Sequence, residues 1–493
     1  METTIDARTG AGTALCPRMV VAALAAASFV VSRMLRALLS LLVTSTSAFQ
    51  QPRTMCTSTK RLKSTPVDVE LVPVGASEVA HLHSLEAASY PADEAASLES
   101  FVLRQREAGA YFRKCMVGGE LAGFICGTRC EAFTEASMDT HAAAGPVLAI
   151  HSVVTAPAFR RRGVALEGLR QYAEAVAGDG VASVKLIAKA PLLGLYARAG
   201  FAVDGLSAIV HGKDPWFECT RDATTVACKV CDSFATEDFS GNPAAVVFRH
   251  GDGAWMAKVA AEFNLSETAF LQRRARKRYG LRWFTPSGAE VDLCGHGTLA
   301  AAHALFEDDA ALDEVAFDSR SGVLNARRLD GGFIELDFPK DAPAELERDA
   351  VVDALLEAAL GVPAIASLHK SPLSRDLLVV VSLDDFRNAA PDGARLARIE
   401  DVRGVVLCCA GDARGGTEAD FSSRFFGPAI GIDEDPVTGS AHCALAPHFR
   451  DGDGAVVGYQ ASPRGGVVRC VVAGDRVKLA GQARTVIAGA VNR

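Results

Sequence analysis

The sequence predicts a multidomain protein of α/β and α+β fold class, and two patterns support this prediction. Strand and helix patterns alternate over residues 66–222, which is typical of a mixed central sheet with flanking helices. From residue 228 onward, many short strand patterns surround two helices that are apolar on every face, and such helices must be buried. The length of 493 residues agrees with about three domain-sized units.

The first 65 residues are predicted to be a targeting presequence. Residues 34–43 combine a basic start with a short apolar run, and residues 44–48 offer a small-residue cleavage site. Residues 50–63 are basic, rich in hydroxyl groups and free of acids, which is transit-peptide composition. This arrangement resembles the bipartite plastid presequences of algae with secondary plastids, so we expect a plastid location. A plain secretory signal, or a cytoplasmic protein with a mispredicted N-terminus, stays open as an alternative.

Composition excludes some classes of function. The net charge is −8, whereas a nucleic-acid-binding protein is expected to be basic, so no nucleic-acid partner is predicted. The 13 cysteines are odd in number and lack a disulfide framework, which favours reduced and buried thiols. A single C-x-x-C pair, Cys228 and Cys231, has no second pair beside it, so no metal site is predicted.

The first folded part shows a regular succession of elements. The predicted elements are, in chain order, a helix over Ser97–Ala108, strands over Lys114–Val117, Leu121–Gly127 and Val147–Val154, a helix from about Val164 to Ala177, and a strand over Val184–Ile187. Small and polar residues predict a surface loop over 128–145. The junction 223–227 has no Pro/Gly-rich spacer, so the two folded parts are expected to pack against each other.

The strand that carries His151 leads into a basic turn and a helix. Small residues at such a turn let backbone N–H groups meet a pyrophosphate, and the helix dipole favours its negative charge. Arginines in the turn add positive charge near the phosphates. The predicted nucleotide-binding residues are Val153, Val154, Arg160, Arg161, Arg162, Gly163, Val164 and Ala165.

This strand and turn resemble the acetyl-CoA loop of the GNAT N-acetyltransferases. Leu195–Phe201 resembles a further element of the same family. Three segments resemble a narrower group, the arylalkylamine (serotonin-like) N-acetyltransferases: Ser89–Ala96, the strand that carries His151, and Val210–Glu218. The resemblance implies acetyl-CoA as co-substrate and a small-molecule amine as acceptor. It also implies His151 as the base that takes the amine proton and Tyr196 as the acid that protonates the thiolate. Many of these enzymes have a second histidine where this chain has Ala149, so a relay of the proton through water stays open as an alternative.

Two acidic, small-residue turns open the two apolar helices of the second part. The first turn runs from Asp292 to Thr298 and the second from Asp435 to Ser440. The helix N-termini carry unpaired N–H groups and partial positive charge, so each is suited to a small anion. The repeat predicts two related lobes, at about 228–345 and 375–493, with one active site between them. Asp292 either takes part in that site or caps its helix.

Further segments resemble the PhzF-like phenazine-biosynthesis isomerases, whose fold is that of the two-lobed diaminopimelate epimerase. They are Asp232–Val246, Asn264–Phe270, Arg282–Pro286, Phe421–Phe426 and Tyr459–Gly466. The resemblance implies Glu267 as a proton-shuttling acid and base, with His296 and Asp435 assisting. It implies substrate contacts from Asn242, Ser266, Cys294, Gly295, Gly297, Thr298, Gly439 and Ser440. The implied substrate is a small carboxylic acid, no cofactor is expected, and a homodimer through this domain is possible.

The chain departs from the epimerases at one position. Those enzymes place two cysteines across the substrate; Cys294 matches the first, and Val437 occupies the second place. A single-acid isomerisation is therefore expected. Two alternatives concern single residues: Cys294 is a buried thiol at a helix start, or Glu267 is a capping acid beside Ser266.

Together, these patterns predict a bifunctional enzyme. Residues 66–222 are expected to form an amine N-acetyltransferase of arylalkylamine or polyamine type, and residues 228–493 an isomerase. The alternative is an acetyltransferase that carries a catalytically idle PhzF-like module for binding or dimerisation.

Overall fold

A computed structural model of the chain describes residues 67–177, 180–209, 212–414, 416 and 418–493. The predicted presequence of residues 1–65 lies outside these described residues. Within the described part of the chain, no helix combines the length and apolar character that a membrane crossing requires.

The first domain is a seven-stranded mixed sheet in the order β1-β2-β3-β4-β5-β7-β6, flanked by helices. Its strands are β1 (Glu70–Pro73), β2 (Phe112–Val117), β3 (Glu120–Cys130), β4 (Val147–Thr155), β5 (Ser183–Ala188), β6 (Ala202–Leu206) and β7 (Phe217–Asp222). Its helices are α1 (Val79–Ala87), α2 (Leu98–Ala108), α3 (Val164–Val176) and α4 (Leu193–Arg198). Each element predicted from the sequence of this domain has a counterpart here, including the predicted helix over Ser97–Ala108.

Local chemistry accounts for these helices. The Ser97 side chain accepts a hydrogen bond from the backbone N–H of Ser100, which caps α2. Along α3, Leu169, Tyr172 and Val176 recur at helical spacing and are buried against the sheet. One expectation was wrong in its bounds: the loop predicted over 128–145 begins only after Cys130, because β3 runs to that residue.

The strand β4 departs from regular pairing in two ways. Its register with β3 shifts between Cys126 and Gly127, which leaves His151 as an extra residue in a bulge. Its parallel pairing with β5 covers only 147–149, although both strands continue beyond that point. The strands therefore part in the middle of the sheet, directly beside His151.

The second domain begins at Thr225, and only two residues separate it from β7. Its strands are β8 (Thr225–Ser233), β9 (Asn242–Val247), β10 (Thr268–Ala275), β11 (Arg278–Phe284), β12 (Glu290–Val291), β13 (Glu314–Ser319), β14 (Gly322–Arg328), β15 (Ile334–Pro339), β16 (Ala344–Glu345), β17 (Ser367–Lys370), β18 (Leu377–Val380), β19 (Val405–Ala410), β20 (Phe421–Gly427), β21 (Ile432–Asp435), β22 (Gly454–Gln460), β23 (Gly466–Ala473), β24 (Arg476–Gly481) and β25 (Ala483–Asn492). Its helices are α5 (Gly253–Phe263), α6 (Gly295–Asp308), α7 (Ala350–Leu360), α8 (Leu383–Asn388), α9 (Gly393–Leu396) and α10 (Gly439–Phe449).

The two apolar helices of the sequence are α6 and α10, and each is the central helix of one lobe. All residues of α6 from Gly295 to Phe306 are buried except the half-buried His303. Side chains of both helices belong to one hydrophobic core together with the surrounding strands. The helices therefore use their apolar surface all round, as the sequence predicted.

Pairing of distant strands closes the second domain on itself. The last strand, β25, pairs antiparallel with the first, β8, and the strand circuit is closed. The sequence predicted that the chain end belongs to the second lobe, at 375–493. In the structure, β25 instead pairs with β8, which is a strand of the first lobe. The segment between the two predicted lobes is part of the folded domain. Leu356 and Leu360 of α7 pack with Val379 of β18 in a separate hydrophobic cluster.

The two domains contact each other, as the short junction predicted. Arg273 of β10 forms an ion pair with Glu167 of α3 at 2.6 Å, and both side chains are largely buried. Arg249 donates a hydrogen bond from Nη1 to the carbonyl oxygen of Ala177 at 2.5 Å. A cavity of about 640 Å³ lies beside these contacts and is lined by both domains.

Candidate functional site

In the first domain, the β4 bulge presents His151 to a polar neighbour. The His151 Nε2 lies 2.7 Å from the hydroxyl oxygen of Thr128, and its Nδ1 is buried without a hydrogen-bond partner among the described residues. Burial, assisted by the charge of Arg104, lowers the pKa of His151 well below its usual value. The imidazole is therefore neutral at neutral pH, with one nitrogen held by Thr128.

Two tyrosines lie close to this strand. Burial raises the pKa of Tyr196 far above its ordinary value, so the phenol is protonated at neutral pH. The Tyr196 ring packs edge-on against Phe201 at 6.1 Å. Tyr90 donates a hydrogen bond to the carbonyl oxygen of Val153 at 3.3 Å, and burial raises its pKa to about 12. The charge of an ionised Tyr90 would raise the pKa of Tyr196 further.

The predicted pyrophosphate turn joins β4 to α3. Gly163 has a φ of +92°, which favours glycine, and open space lies where a side chain would point. No side chain caps α3 among the described residues, so its first-turn amides, including those of Val164 and Ala165, have no side-chain partner there. Arg160 donates to the Ser89 hydroxyl at 3.2 Å, and Arg162 lies over the Phe159 ring. The turn therefore presents free amides beside three exposed arginines, Arg160 to Arg162.

In the second domain, Glu267 lies directly before β10 and reaches α6. Its Oε2 is 3.2 Å from His296 Nε2, but the contact lacks hydrogen-bond alignment, and neither atom has another partner in the described ranges. Burial, assisted by the charge of Asp435, raises the pKa of Glu267 to about 7. Burial lowers the pKa of His296 to about 4. Because a strand and not a helix follows Glu267, the capping alternative for this residue was wrong.

Asp435 ends β21 and is held by both lobes. Its Oδ1 accepts a hydrogen bond from Asn242 Nδ2 at 2.8 Å, and its Oδ2 accepts one from the Thr438 hydroxyl at 2.5 Å. Asn242 belongs to β9 of the first lobe and also donates to the Val437 carbonyl oxygen at 2.9 Å. Burial raises the pKa of Asp435 to about 6. Two acids with raised pKa values thus lie near each other between the lobes.

The N-termini of α6 and α10 meet at glycines. A side-chain carbon on Gly295 would lie 3.3 Å from the Gly439 Cα, and one on Gly439 would lie 3.4 Å from the Gly295 Cα. A carbon on Gly297 would lie 2.9 Å from the Cys294 sulfur and from Trp283. These glycines were predicted to let a ligand approach, whereas in the structure they let the two helices and the Trp283 ring pack closely. The backbone amides of Gly295 and Gly439 remain the groups that can meet a substrate.

Cys294 is the N-cap of α6. Its sulfur accepts a hydrogen bond from the Gly297 amide at 3.3 Å and lies 3.6 Å from His296 Nδ1. Burial raises the pKa of the Cys294 thiol well above its usual value, so the thiol is neutral. Val437 fills the position that the epimerases give to a second cysteine and is fully buried.

Three of these groups are close enough to suit a metal ion. Ligand atoms of Glu267, Cys294 and His296 all lie within 4.8 Å of one another. The sequence predicted no metal site, and this stays a prediction.

Other predicted residues take different places. Asp292 is exposed and pairs with Arg320 at 3.5 Å, so it neither caps α6 nor enters the site. The Thr298 hydroxyl donates to the Cys294 carbonyl oxygen at 2.5 Å, so this hydroxyl bonds to the backbone of its own helix. Ser266 lies beside Glu267 between α5 and β10, and Ser440 lies in the first turn of α10.

Sequence reasoning missed several polar groups of these sites. Gln460 accepts from the Thr438 amide at 2.8 Å and donates to the Asp435 carbonyl oxygen at 2.7 Å. Thr128 and Arg403 were also missed. Gln460 lies inside a segment already linked to the family, whereas Arg403 lies in a loop with no motif that could have revealed it.

Comparison with known proteins supports both halves. The family model of the phenazine biosynthesis-like protein (PhzC-PhzF) matches residues 231–489, and that of the acetyltransferase (GNAT) family matches residues 78–201. An uncharacterized isomerase of Pseudomonas aeruginosa is 44% identical over 268 residues, which are 53% of this chain and 96% of the relative. The phenazine biosynthesis-like domain-containing protein of Homo sapiens is 36% identical over 281 residues, with the same two shares. The crystal structure of a PhzF-family phenazine biosynthesis protein from Enterococcus faecalis matches with a TM-score of 0.50 and 37% identity, covering 55% of this chain and 100% of that one.

Proposed function

Because this chain belongs to the phenazine biosynthesis-like protein family and carries a GNAT acetyltransferase domain, we propose that it is a bifunctional enzyme. The first domain transfers an acetyl group from acetyl-CoA to an amine. The second isomerises a small carboxylic acid by moving a proton. The observation that carries the proposal is the pairing, in each domain, of buried acid and base groups with a helix N-terminus whose amides are free.

In the isomerase site, Glu267 is the group that moves the proton. With a pKa of about 7 it is close to half-ionised at neutral pH, so it can remove a proton from one carbon and return it to another. His296 is neutral and lies 3.2 Å away, so it can hydrogen-bond to the reacting carboxyl or to the substrate. The amides at the N-termini of α6 and α10 stabilise the negative charge that develops when the proton leaves.

Deuterium uptake tests this reaction. A panel of 2-amino acids and enol acids is incubated with the full chain in heavy water, and uptake is followed by NMR. We expect uptake into at least one compound, and we expect Glu267→Gln to reduce its rate at least about 100-fold, because a general base is lost. Glu262→Gln, on the exposed face of α5, is the control. Uptake unchanged by Glu267→Gln contradicts the mechanism. No uptake into any compound favours the alternative, an idle binding module.

The residues of the first domain fit acetyl-CoA. Gly163 leaves open space at the turn, the first amides of α3 are free, and exposed arginines lie beside them, which together suit a pyrophosphate. The parted strands β4 and β5 leave backbone groups of β4 beyond Ala149 available to an extended chain. When bound, acetyl-CoA supplies the acetyl group and a thiolate leaving group.

His151 and Tyr196 manage the two protons of the transfer. His151 is neutral and has a free nitrogen, so it accepts the proton that the attacking amine loses. Its lowered pKa makes it a weak base, which agrees with a relay through water. Tyr196 keeps its proton until the thiolate forms and then donates it. An arylalkylamine or polyamine acceptor is proposed from the segments Ser89–Ala96 and Val210–Glu218 that resemble that subgroup.

Release of free coenzyme thiol tests the transferase. The full chain is incubated with acetyl-CoA and a panel of arylalkylamines and polyamines, and the thiol is measured by its reaction with a chromogenic disulfide. We expect amine-dependent release, together with an N-acetylated product in mass spectrometry. No acetylated product from any amine, with no binding of acetyl-CoA in calorimetry, contradicts this half of the proposal.

Location and assembly are proposed on the sequence alone. A plastid location is supported by the composition of residues 1–65, and a fluorescent protein fused to that segment tests it in an alga with secondary plastids. A homodimer through the second domain is supported by the family resemblance. Light scattering of the full chain, which gives its molar mass in solution, tests the dimer.

A further inference from the structure

Arg403 is a charged residue of the isomerase domain to which no role has yet been given. It lies in the loop between α9 and β19. Its Nε and Nη2 donate to the two oxygens of Asp376 at 2.8 and 2.5 Å, and Nη2 also donates to the Ser440 hydroxyl oxygen at 3.0 Å. Asp376 is completely buried. The buried Asp376 carboxylate therefore fixes the position of the guanidinium fork, that is, of the paired Nε and Nη2 donors of Arg403.

The other side of the guanidinium is open. The Arg403 side chain is 34% exposed, and its Nη1 makes no hydrogen bond to a residue of the described ranges. Its positive charge acts on both acids of the site, since it lowers the pKa of Glu267 and of Asp435 against the larger effect of burial. The hydrogen bond from Nη2 to Ser440 places the guanidinium beside the first turn of α10.

Further donors lie next to this fork. The Ser440 oxygen accepts from Arg403, so the Ser440 hydroxyl proton is free to donate. Thr438 donates its hydroxyl to Asp435 and does not cap α10, so no side chain of the described residues occupies the first-turn amides of that helix. Fixed guanidinium, hydroxyl and amides together form a set of donors suited to a carboxylate.

If the ion pair of Arg403 and Asp376 had a purely structural role, it would not need the hydrogen bond from Arg403 to Ser440. Asp376 and the Phe425 ring, which lies 5.3 Å below the guanidinium, would hold such a pair without a contact to the helix end. The hydrogen bond to Ser440 instead directs the fork to the N-terminus of α10, next to the meeting point of the two helices.

We propose that Arg403 binds the carboxylate of the isomerase substrate beside Ser440, which the family resemblance already gives as a substrate contact, and that Asp376 positions the Arg403 guanidinium. The inference rests on the proposed isomerase function and adds to it the side chain of the second lobe that binds the carboxylate of the acid.

Benzoate and its neutral counterpart benzamide are the probes, and their binding to the full chain is measured from the broadening of their proton NMR signals. We expect the unsubstituted chain to bind benzoate in preference to benzamide. The double variant Arg403→Gln/Asp376→Asn removes both charges and leaves no unpaired buried carboxylate. We expect it to weaken benzoate binding at least about tenfold, because a charged hydrogen bond is lost. Arg403→Lys keeps the charge but not the fork, and an intermediate loss is expected.

A matched pair elsewhere in the domain is the control. Arg282 donates to Glu290 at 2.7 and 2.6 Å, lies 5.2 Å from the Phe284 ring and is 33% exposed, which closely matches Arg403. The double variant Arg282→Gln/Glu290→Gln is expected to leave benzoate binding unchanged. Equal weakening in both double variants, or no preference of the unsubstituted chain for benzoate, overturns the proposal.

Deuterium uptake in the same variants separates this proposal from the one it rests on. Removal of the guanidinium is expected to lower the rate of uptake at low concentrations of an acid more than the rate at saturation, because the carboxylate binds more weakly. Loss of the preference for benzoate over benzamide is the readout that a structural role alone does not change. If uptake depends on Glu267 but benzoate binding is unchanged by substitution of Arg403, the carboxylate site is overturned and the isomerase proposal stands. Benzoate binding that depends on Arg403, with no uptake into any acid, counts against the isomerisation and leaves the carboxylate site standing.

Discussion

Replacing Glu267 by glutamine is expected to stabilise the protein, and more strongly as the pH rises. The folded-state pKa is about 7, against 4.5 for the free group, so folding disfavours the ionised form. Between these two values the folded state binds more protons than the unfolded state, so the free energy of unfolding falls as the pH rises. The side chain is only 13% exposed, so solvent screening is small. A pKa difference of about 2.5 corresponds to about 3 kcal/mol, and this penalty is complete above pH 7.

Glutamine resembles the neutral acid and escapes the penalty. We therefore expect Glu267→Gln to raise the free energy of unfolding by about 3 kcal/mol at pH 8 and by about 1 kcal/mol at pH 5. Urea unfolding followed by tryptophan fluorescence measures this, since Trp283 is buried beside α6. Glu262→Gln is the control and should change little at either pH. Equal stabilisation at both pH values, or destabilisation at pH 8, refutes the reasoning.

Three further substitutions test other parts of the two sites. Tyr196→Phe removes the proton donor and is expected to lower kcat for acetyl transfer about 100-fold with an unchanged KM for acetyl-CoA; steady-state kinetics measure both, and a change in KM alone contradicts the assigned role. Gly163→Val forces a side chain onto a φ of +92° at the pyrophosphate turn and is expected to raise the KM for acetyl-CoA at least about tenfold. Gly119→Val, with a φ of +84° in the β2–β3 hairpin, carries similar strain and should leave that KM unchanged; an equal effect of both variants argues against a role of the turn in binding. Asn242→Ala removes a buried donor to Asp435 and is expected to cost about 1–3 kcal/mol in urea unfolding; a cost near zero would mean that the hydrogen bond does not hold the lobes together.

Local patterns in the sequence predicted the elements well, because they depend on spacing along a short stretch of chain. The helix that begins after Ser97 and the two all-apolar helices are of this kind. The closing pair of strands could not be predicted in this way. It joins residues 225–233 to residues 483–492, and neither stretch carries a local sign of its partner.

In the candidate site, too, residues in local motifs could be predicted, whereas residues brought in by folding could not. Glu267 and His296 were found through segments typical of a family, and they lie 3.2 Å apart. Arg403 reaches the site from a loop through a buried aspartate, and such an arrangement exists only after folding. Gly295 and Gly439 were predicted to make room for a ligand, whereas the close packing of α6 against α10 requires them. A run of small residues in the sequence is equally suitable for both.

The closed strand circuit brings both ends of the isomerase domain to one place. The backbone N–H of Arg493, the last residue, donates to the carbonyl oxygen of Thr224, inside the two-residue connection from β7. The first and last strands of the domain therefore meet beside the connection from β7, so the neighbouring domain is attached at the seam of the strand circuit and not within either lobe.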